Sequence, residues 1–197
     1  MYRLIESIKI KDGRLLNLSY HNNRMNEARR ELFNSQIAIN LADWIKPESK
    51  KGLVKCRVIY DYEIRKIAYL PYAFPVINSL KLVFDDAISY SYKAENRKKL
   101  KELYAQRGNA DDILIVKNGE VTDSYFCNLV FKKAGVFYTP SSYLLKGTKR
   151  QQLIEKGSIR ETAIRVEEIS GFDKIYLINA MIDLEDNISV EMSKVLF

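Results

Sequence analysis

The sequence predicts an α+β protein that divides into two domains. Segments in which apolar and polar residues alternate, as they do in strands, occur in both halves of the chain between helical patterns. Asn118-Gly119 separates two such segments and is a strong hairpin signal. Pro71 and Pro75 interrupt regular structure and indicate a linker. We therefore predict a small N-terminal domain over residues 1–72, a linker over 73–78, and a larger C-terminal domain over 79–197.

The first domain is predicted to contain a sheet and one long helix. Lys11-Asp12-Gly13 supplies the turn of an opening hairpin. A helical pattern runs from about Tyr20 to Leu32, with Asn22 or Asn23 available as its N-terminal cap. The predicted strands are residues 3–10, 14–17, 53–60 and 64–70.

The second domain is predicted to combine a larger sheet with short helices. Its predicted strands are residues 79–84, 113–116, 121–131, 135–138 and 174–178. Its predicted helices are residues 94–106, which are rich in charge, 148–155 and 159–165.

Composition is that of an ordinary globular protein, with 47% hydrophobic residues among 197. No apolar run is long enough to span a membrane. Glu6 stands where a signal peptide needs an apolar stretch, so we expect a cytoplasmic protein in which Cys56 and Cys127 stay reduced. With a single histidine in the chain, we predict no metal site.

The net charge of +7 permits nucleic-acid binding as one interpretation. However, the 32 basic residues are interspersed with 25 acidic ones, and no interleaved aromatic and basic residues indicate a binding face. An anionic small molecule explains a basic surface equally well. A nucleic-acid-binding domain remains the outside alternative, and a steep salt dependence of DNA or RNA binding would favour it.

Three positions could carry chemistry. Lys93 follows an apolar stretch with two tyrosines, and a partly neutral lysine in a cleft forms Schiff bases. Asp123 ends the strand after the hairpin turn, and a carboxylate that faces a pyridine nitrogen keeps it protonated. Gly147-Thr148-Lys149 begins a predicted helix, where amides, dipole and hydroxyl together bind phosphate. Taken singly, these residues are better explained as an exposed lysine, a polar hairpin residue and an ordinary helix start.

Two arginines could bind anions. Arg24 could offer its guanidinium fork to a phosphate, and Arg57, on a strand, could hold a substrate carboxylate. A surface salt bridge is the alternative role of each. Glu6 is an acid in an apolar strand and needs a partner if it is buried. His21 belongs to the start of the helix, where we expect a structural role.

The order of these positions resembles that of the pyridoxal-phosphate enzymes of aminotransferase class IV. The resemblance extends from about residue 4 to 185 and is most specific over residues 112–150. The motifs that carry it are Leu4-Ile5-Glu6-Ser7-Ile8 with Asp12-Gly13, His21-x-x-Arg24, Lys93-x-x-Asn96-Arg97, Asn118-Gly119-Glu120-Val121-Thr122-Asp123 with Asn128, Thr139-Pro140, Leu144-Leu145-Lys146-Gly147-Thr148-Lys149-Arg150 and Asn179-Ala180-Met181.

The resemblance implies a fold, a cofactor and residue roles. It implies a compact variant of the two-domain class IV fold, a homodimer, pyridoxal 5'-phosphate as cofactor, and a small anionic amine or amino acid as substrate. Lys93 would carry the Schiff base and move protons, and Asp123 would hold the pyridinium. The resemblance assigns the phosphate to Arg24, Gly147, Thr148, Lys149 and Asn179, and a substrate carboxylate to Arg57.

Within class IV, Lys93-x-x-Asn96-Arg97 and Asn179-Ala180-Met181 look most like 4-amino-4-deoxychorismate lyase, which releases pyruvate and 4-aminobenzoate in folate biosynthesis. A branched-chain or D-amino-acid aminotransferase on the same scaffold, or a non-catalytic cofactor-binding homologue, are the alternatives. The chain departs from the family pattern twice. Asp123 stands where Glu is usual and is one methylene shorter. The chain also begins almost at the Glu6 strand, so loops that close over a substrate could be missing.

Overall fold

The computed structural model describes residues 2–47 and 52–197. The helices in these ranges are α1 (Leu18–Phe33), α2 (Lys98–Tyr104) and α3 (Thr148–Glu155). The strands are β1 (Leu4–Lys11), β2 (Arg14–Leu15), β3 (Leu53–Tyr60), β4 (Ile64–Pro71), β5 (Leu80–Phe84), β6 (Asp112–Lys117), β7 (Glu120–Ser124), β8 (Asn128–Lys133), β9 (Val136–Pro140), β10 (Arg160–Thr162), β11 (Lys174–Ile178), β12 (Ser189–Glu191) and β13 (Val195–Leu196). None of the helices within the described ranges is long and apolar enough to span a membrane.

The chain forms two compact units. The first unit contains the chain up to Phe74 together with Tyr92–Asn96, and the second contains Pro75–Ser91 and Arg97–Phe197. The sequence-based boundary assigned Lys93 to the second domain, whereas the structure groups its segment with the first unit.

Strand pairing explains this difference. The amide of Ile5 donates to the carbonyl of Lys93, and the amide of Glu95 donates to the carbonyl of Arg3, each at 2.9 Å. Leu4 and Ala94 form an antiparallel bridge between these bonds. The lysine segment therefore extends the edge of the first sheet beside β1, and no local pattern in the sequence reports such a long-range pairing.

The first unit is an antiparallel sheet in the order β2-β1-β3-β4, with α1 on one face. The opening hairpin turns at Asp12 and Gly13, both with positive φ, as predicted. The predicted capping role of Asn22 or Asn23 is wrong, because α1 begins earlier, after a left-handed Asn17. Asn22 instead uses its carboxamide to bind the segment near Leu41, where it accepts from the Leu41 amide at 2.9 Å.

The second unit contains a nine-stranded mixed sheet in the order β10-β9-β8-β7-β6-β5-β13, with β11 paired to β8 and to β12. β5 runs parallel to β6, β13 parallel to β5, and β10 parallel to β9, while the remaining pairs are antiparallel. Leu100 and Leu103 of α2 pack on Ile113 and Ile115 of β6. The mixed sheets with short helices confirm the α+β class.

Three predicted elements differ from the structure. The charged helix starts at Lys98 and not at residue 94, because residues 93–95 pair with β1. The single strand predicted over 121–131 is interrupted at residues 125–127, where the chain turns between β7 and β8. The helix predicted over 159–165 is instead the short strand β10, which is recruited by its parallel partner β9.

Candidate active site

A buried acid connects the first strand to the first helix. Glu6 on β1 is fully buried, and its Oε2 forms a hydrogen bond with Nδ1 of His21 at 2.6 Å. Arg24, one helical turn further along α1, donates its Nε to Oε1 of Glu6 at 2.9 Å and its Nη2 to Oε2 at 2.6 Å. His21 and Arg24 lie on the same face of the helix because they are three residues apart. Glu6 therefore has the partners that a buried carboxylate requires.

The electrostatics of this group are strongly perturbed. Burial alone would raise the pKa of Glu6, but the charge of Arg24 and the hydrogen bonds from both partners lower it to about 2. Burial lowers the pKa of His21, against the opposing effect of Glu6, and the nearby charges of Arg24 and Lys93 lower it further. At neutral pH Glu6 is thus ionised, and a neutral His21 donates its Nδ1–H to it.

Glu6→Ala is expected to lower the free energy of unfolding by about 3–5 kcal/mol, because it leaves Arg24 and His21 without their shared acceptor. Urea unfolding at neutral pH measures the effect. Glu63→Ala is the matched control, since the Glu63 side chain is 62% exposed and its contact with Arg65 spans 3.4 Å. The control should change stability by less than about 0.5 kcal/mol. A loss below about 1 kcal/mol for Glu6→Ala would contradict the assigned role of the cluster.

Lys93 and Arg57 also lie in the first unit. The backbone of Lys93 is held beside β1, and its side chain is half-buried. Arg57 on β3 is paired with Glu95, two residues after Lys93, at 3.5 Å, and both side chains are about one-third exposed. Arg24, Arg57 and Lys93 are therefore all positioned by the same sheet.

Asp123 occupies a buried position at the end of β7 in the second unit. Its Oδ1 accepts from Nδ2 of Asn128 at 2.8 Å. Its Oδ2 accepts from the backbone amides of Leu144 at 3.1 Å and Leu145 at 3.0 Å. These three donors orient the carboxylate. Burial nevertheless dominates and raises the pKa of Asp123 to about 6, against the opposing hydrogen bonds and the charge of Arg150.

The start of α3 lies beside this carboxylate through Asn128. The Nδ2 of Asn128 also donates to the carbonyl of Leu145 at 3.0 Å. A Cβ atom added to Gly147 would lie 1.7 Å from Oδ1 of Asn128. Glycine is therefore required at position 147 by the close approach of the asparagine that orients Asp123.

Gly147→Ala is expected to destabilise the protein by about 1–3 kcal/mol, because the Asn128 side chain or the helix start must move away from the new methyl group. Gly171→Ala is the control, since the nearest atom to its added Cβ would be the flexible Lys133 Nζ at 3.5 Å. The control should change stability by no more than about 0.5 kcal/mol. Thermal unfolding of both variants measures the difference, and equal midpoints would overturn the packing argument.

Thr148 is the first residue of α3 and is buried. Its Oγ1 is buried and has no hydrogen-bond partner among the residues that the structure describes. Buried hydroxyls are normally hydrogen-bonded, so such a group requires an explanation. At a helix N-terminus, where the first backbone amides have no partner within the helix, an anion would satisfy it.

Lys149 and Asn179 make contacts with neighbouring residues of the second unit. The Nζ of Lys149 pairs with Asp183 and donates to Oε1 of Gln152 at 2.8 Å. The Oδ1 of Asn179 accepts from the amides of Met181 at 2.8 Å and Ile182 at 3.1 Å. Both side chains therefore shape neighbouring segments, and their roles toward a phosphate remain predictions.

The structure thus assembles two groups of predicted residues, one in each unit. Arg24, Arg57 and Lys93 belong to the first, and Asp123, Gly147, Thr148, Lys149 and Asn179 to the second. Sequence reasoning missed Glu6 and His21 as partners of Arg24, although the His21-x-x-Arg24 spacing on a helix was a signal. It also did not identify Asn128 as the residue that orients Asp123.

Comparisons with known proteins identify the family. Residues 77–184 match amino-transferase class IV. An uncharacterized protein of Haemophilus influenzae is 37% identical over 185 residues, which cover 92% of this chain and 98% of that protein. The chain belongs to amino-transferase class IV, a family of pyridoxal-phosphate-dependent enzymes, as its motifs predicted.

Solved structures agree with this assignment. The crystal structure of a provisionally assigned 4-amino-4-deoxychorismate lyase from Haemophilus somnus superimposes with a TM-score of 0.87 at 32% identity, covering 93% of this chain and 98% of that one. A hypothetical aminotransferase from Mycobacterium tuberculosis in its pyridoxal-phosphate-bound form has a TM-score of 0.72 at 18% identity, covering 98% and 81%. The predicted class IV fold is therefore confirmed. The match covers 98% of the Haemophilus somnus chain, so that protein shares the compact form of the fold.

Proposed function

We propose that this chain is a pyridoxal-phosphate-dependent lyase of the 4-amino-4-deoxychorismate type, working as a homodimer in the cytoplasm. The observation that best supports pyridoxal phosphate as the cofactor is the buried Asp123 carboxylate. Three uncharged donors orient this carboxylate and leave its negative charge in place. Burial raises its pKa in spite of these donors and the charge of Arg150, and a protonated pyridine nitrogen would compensate the buried charge further. The lyase reaction is supported by the 32% identity to the Haemophilus somnus protein and by the motifs around Lys93 and Asn179.

The residues present fit pyridoxal phosphate chemically. The Oγ1 of Thr148, which has no hydrogen-bond partner within residues 2–47 and 52–197, and the amides that begin α3 suit the phosphate. Arg24 is a further candidate for it. Asp123 suits the ring nitrogen, and Lys93 suits the carbonyl carbon. When bound, pyridoxal phosphate supplies a protonated ring that accepts the electron pair left on the substrate.

The first unit also offers charges that suit an anionic substrate. Side chains alternate between the two faces of the sheet, and the strand register shows which of them lie on the face opposite Glu6. The charged side chains that β1, β3 and β4 place on that face are all cationic. These are Lys9, Lys11, Lys55, Arg57 and Lys66. Lys9 is directly opposite Lys55, and their ammonium groups lie over the rings of Phe74 and Tyr72 respectively. A substrate with carboxylates would suit this cationic face.

The proton steps can be assigned to this chain's own side chains. Nζ of Lys93 would take the proton from the substrate carbon that bears the amino group. The C–O bond to the enolpyruvyl group would then break, and the substrate ring would become aromatic. The proton would pass to the departing enol, which leaves as pyruvate. Asp123 would hold its carboxylate against the ring nitrogen throughout, and Arg57 would hold a substrate carboxylate.

An aminotransferase is the second candidate, because the protein from Mycobacterium tuberculosis is named as one. The two reactions share the first proton transfer and differ in its destination. A lyase releases pyruvate together with 4-aminobenzoate. An aminotransferase passes the amino group to an oxo acid and releases no pyruvate from that substrate.

The decisive experiment combines trapping with product analysis. Purified protein is mixed with pyridoxal phosphate, its visible spectrum is recorded, and the adduct is reduced with borohydride and located by peptide mapping. We expect a visible band and a single modified residue, Lys93. Incubation with 4-amino-4-deoxychorismate should then release pyruvate and 4-aminobenzoate in equal amounts. A labelled peptide without either product, but with amino transfer to pyruvate, would favour the aminotransferase. No specific adduct would leave a non-catalytic homologue.

Thr148→Val separates cofactor binding from stability. Because valine replaces a buried hydroxyl that has no hydrogen-bond partner among the described residues, the protein without cofactor should be as stable as wild type or more stable by up to about 1 kcal/mol. Its affinity for pyridoxal phosphate should fall about tenfold, through loss of one hydrogen bond to a charged group. Thermal unfolding and a spectroscopic titration measure the two quantities. Unchanged affinity would exclude Thr148 from the phosphate site.

A further inference from the structure

Arg97 is the residue with which the chain enters the second unit after the lysine segment. Its guanidinium donates from Nη2 to the carbonyl of Tyr125 and lies 4.2 Å above the centre of the Tyr125 ring. The same ring stacks on Tyr104 of α2, with centroids 4.3 Å apart and planes at 22°. Arg97 thus contacts both the backbone and the side chain of Tyr125.

Asp112 also binds the backbone of Tyr125, at its amide. This carboxylate is fully buried at the start of β6, and its Oδ1 accepts from the amides of Ile113 at 2.8 Å and Tyr125 at 3.3 Å. It also bonds to the side chain of Ser124, and the charge of Arg97 acts on it. The N–H of Tyr125 is therefore held by Asp112 and its C=O by Arg97.

Two buried polar atoms of opposite charge belong to this cluster. Nε of Arg97 and Oδ2 of Asp112 are both buried, and neither has a hydrogen-bond partner in the described part of the chain. One is a donor and the other an acceptor, and their charges are opposite. Groups that are expensive to bury are retained here, where they meet a single turn of the backbone.

That turn joins the two ends of the proposed pyridine site. Tyr125 lies in the connection between β7 and β8, whose paired residues are Asp123 and Asn128. Within the turn, the amide of Ser124 donates to the carbonyl of Cys127 at 2.8 Å, and the amide of Cys127 donates to the Ser124 hydroxyl at 3.1 Å. Holding the backbone of Tyr125 in place therefore fixes the spacing between the Asp123 carboxylate and the Asn128 carboxamide that orients it.

We propose that Arg97 and Asp112 are positioning residues that clamp the β7–β8 turn and thereby set the reach of Asp123 toward the pyridine nitrogen of the cofactor. The inference rests on the proposed function. It explains how a carboxylate one methylene shorter than glutamate can serve, because the position of the backbone then has to replace the missing side-chain length. Misplacement of a hydrogen-bonding group by a fraction of an ångström weakens it markedly.

The test compares Arg97→Met and Asp112→Asn with the control Lys101→Met, an exposed cation on α2. Hydrogen exchange of the Leu144 and Leu145 amides, which donate to Asp123, is measured without added cofactor. Exchange should accelerate about tenfold in both variants and remain unchanged in the control. Protein loaded with pyridoxal phosphate that carries ¹⁵N in its ring then reports the protonation of the ring nitrogen. We expect a protonated nitrogen in wild type and a neutral one in Arg97→Met.

Kinetics complete the test. For Arg97→Met, kcat should fall about tenfold or more, while KM changes less than about threefold. Arg97→Lys, which keeps the charge, should recover part of kcat. If Arg97→Met does not fold, Tyr125→Leu removes the stacked ring and receives the same measurements.

Two results overturn the proposal in a folded variant. One is unchanged exchange at Leu144 and Leu145, and the other is a ring nitrogen that stays protonated. If wild type binds no pyridoxal phosphate, the proposed function fails and the inference falls with it. The exchange measurement needs no cofactor, so the two failures are distinguishable.

Discussion

Lys93→Ala is expected to lose the borohydride-trapped cofactor and to lower kcat/KM by about 10³-fold or more. The loss follows from the two tasks proposed for Nζ, which are covalent attachment of the cofactor and proton transfer at the substrate carbon. The variant should remain folded, because the pairing of this segment with β1 uses the backbone carbonyl of Lys93, which the substitution keeps. Circular dichroism and thermal unfolding verify this, and mass spectrometry of the reduced protein detects any adduct.

Lys98→Ala is the control for this variant. Lys98 is an exposed lysine five positions further along the chain, at the first residue of α2. It should retain the visible band and wild-type kinetics. An adduct that persists in Lys93→Ala, or that spreads over surface lysines in wild type, would remove Lys93 from the mechanism.

Asp123→Asn is expected to bind pyridoxal phosphate but to lower kcat by about 10²-fold or more, because a carboxamide carries no charge to hold the ring nitrogen protonated. Spectroscopic titration and steady-state kinetics measure the two effects. Asp173→Asn is the control, since Asp173 is a carboxylate that accepts one exposed backbone amide, from Ala134 at 3.1 Å. Wild-type kcat in Asp123→Asn would exclude the pyridine-facing role.

The same variant should remove a pH dependence of stability. The folded state holds a proton on Asp123 up to about pH 6, whereas the unfolded state loses it near the ordinary value of 3.8. The raised pKa therefore contributes stability that is fully present at low pH and is lost as pH rises through 6. Between about pH 4 and pH 7 this group should cost the cofactor-free protein about 2 kcal/mol.

Urea unfolding of both proteins at several pH values tests this dependence. The wild-type free energy of unfolding should fall relative to that of Asp123→Asn across the range, and bound pyridoxal phosphate should abolish the difference by pairing the carboxylate. Parallel pH profiles without cofactor would contradict the buried, poorly compensated state of Asp123.

Local signals in the sequence predicted local structure well. Asn118 and Gly119 both adopt positive φ at the tip of the β6–β7 hairpin, as that dipeptide requires. Gly147 and Thr148 begin α3 at the predicted position. The motif order also led to the correct family. For the hairpin and the helix start, the physical reason lies within a few residues of the signal.

Long-range pairing explains what sequence reasoning missed. Residues 94–97 had a helical pattern, but pairing with β1 extends the chain there, and residues 160–162 form a strand only because β9 lies beside them. The contact of Glu6 with His21 joins residues 15 positions apart. Asn128 could be placed against Gly147 only once β8 and the start of α3 were both positioned. Tertiary context decided each of these outcomes.

The return of residues 93–95 to the first sheet has a consequence for synthesis on the ribosome. β3 occupies one edge of β1 along its whole length, while in the described part of the chain the lysine segment completes the other edge near Leu4. At about 5–20 residues per second, the chain between Phe74 and Asn96 takes roughly one to four seconds to make. During that interval the nascent sheet presents an open strand edge, a site at which chains associate wrongly or chaperones bind. We expect the protection of β1 from protease in ribosome-bound chains to rise only after Asn96 has left the exit tunnel.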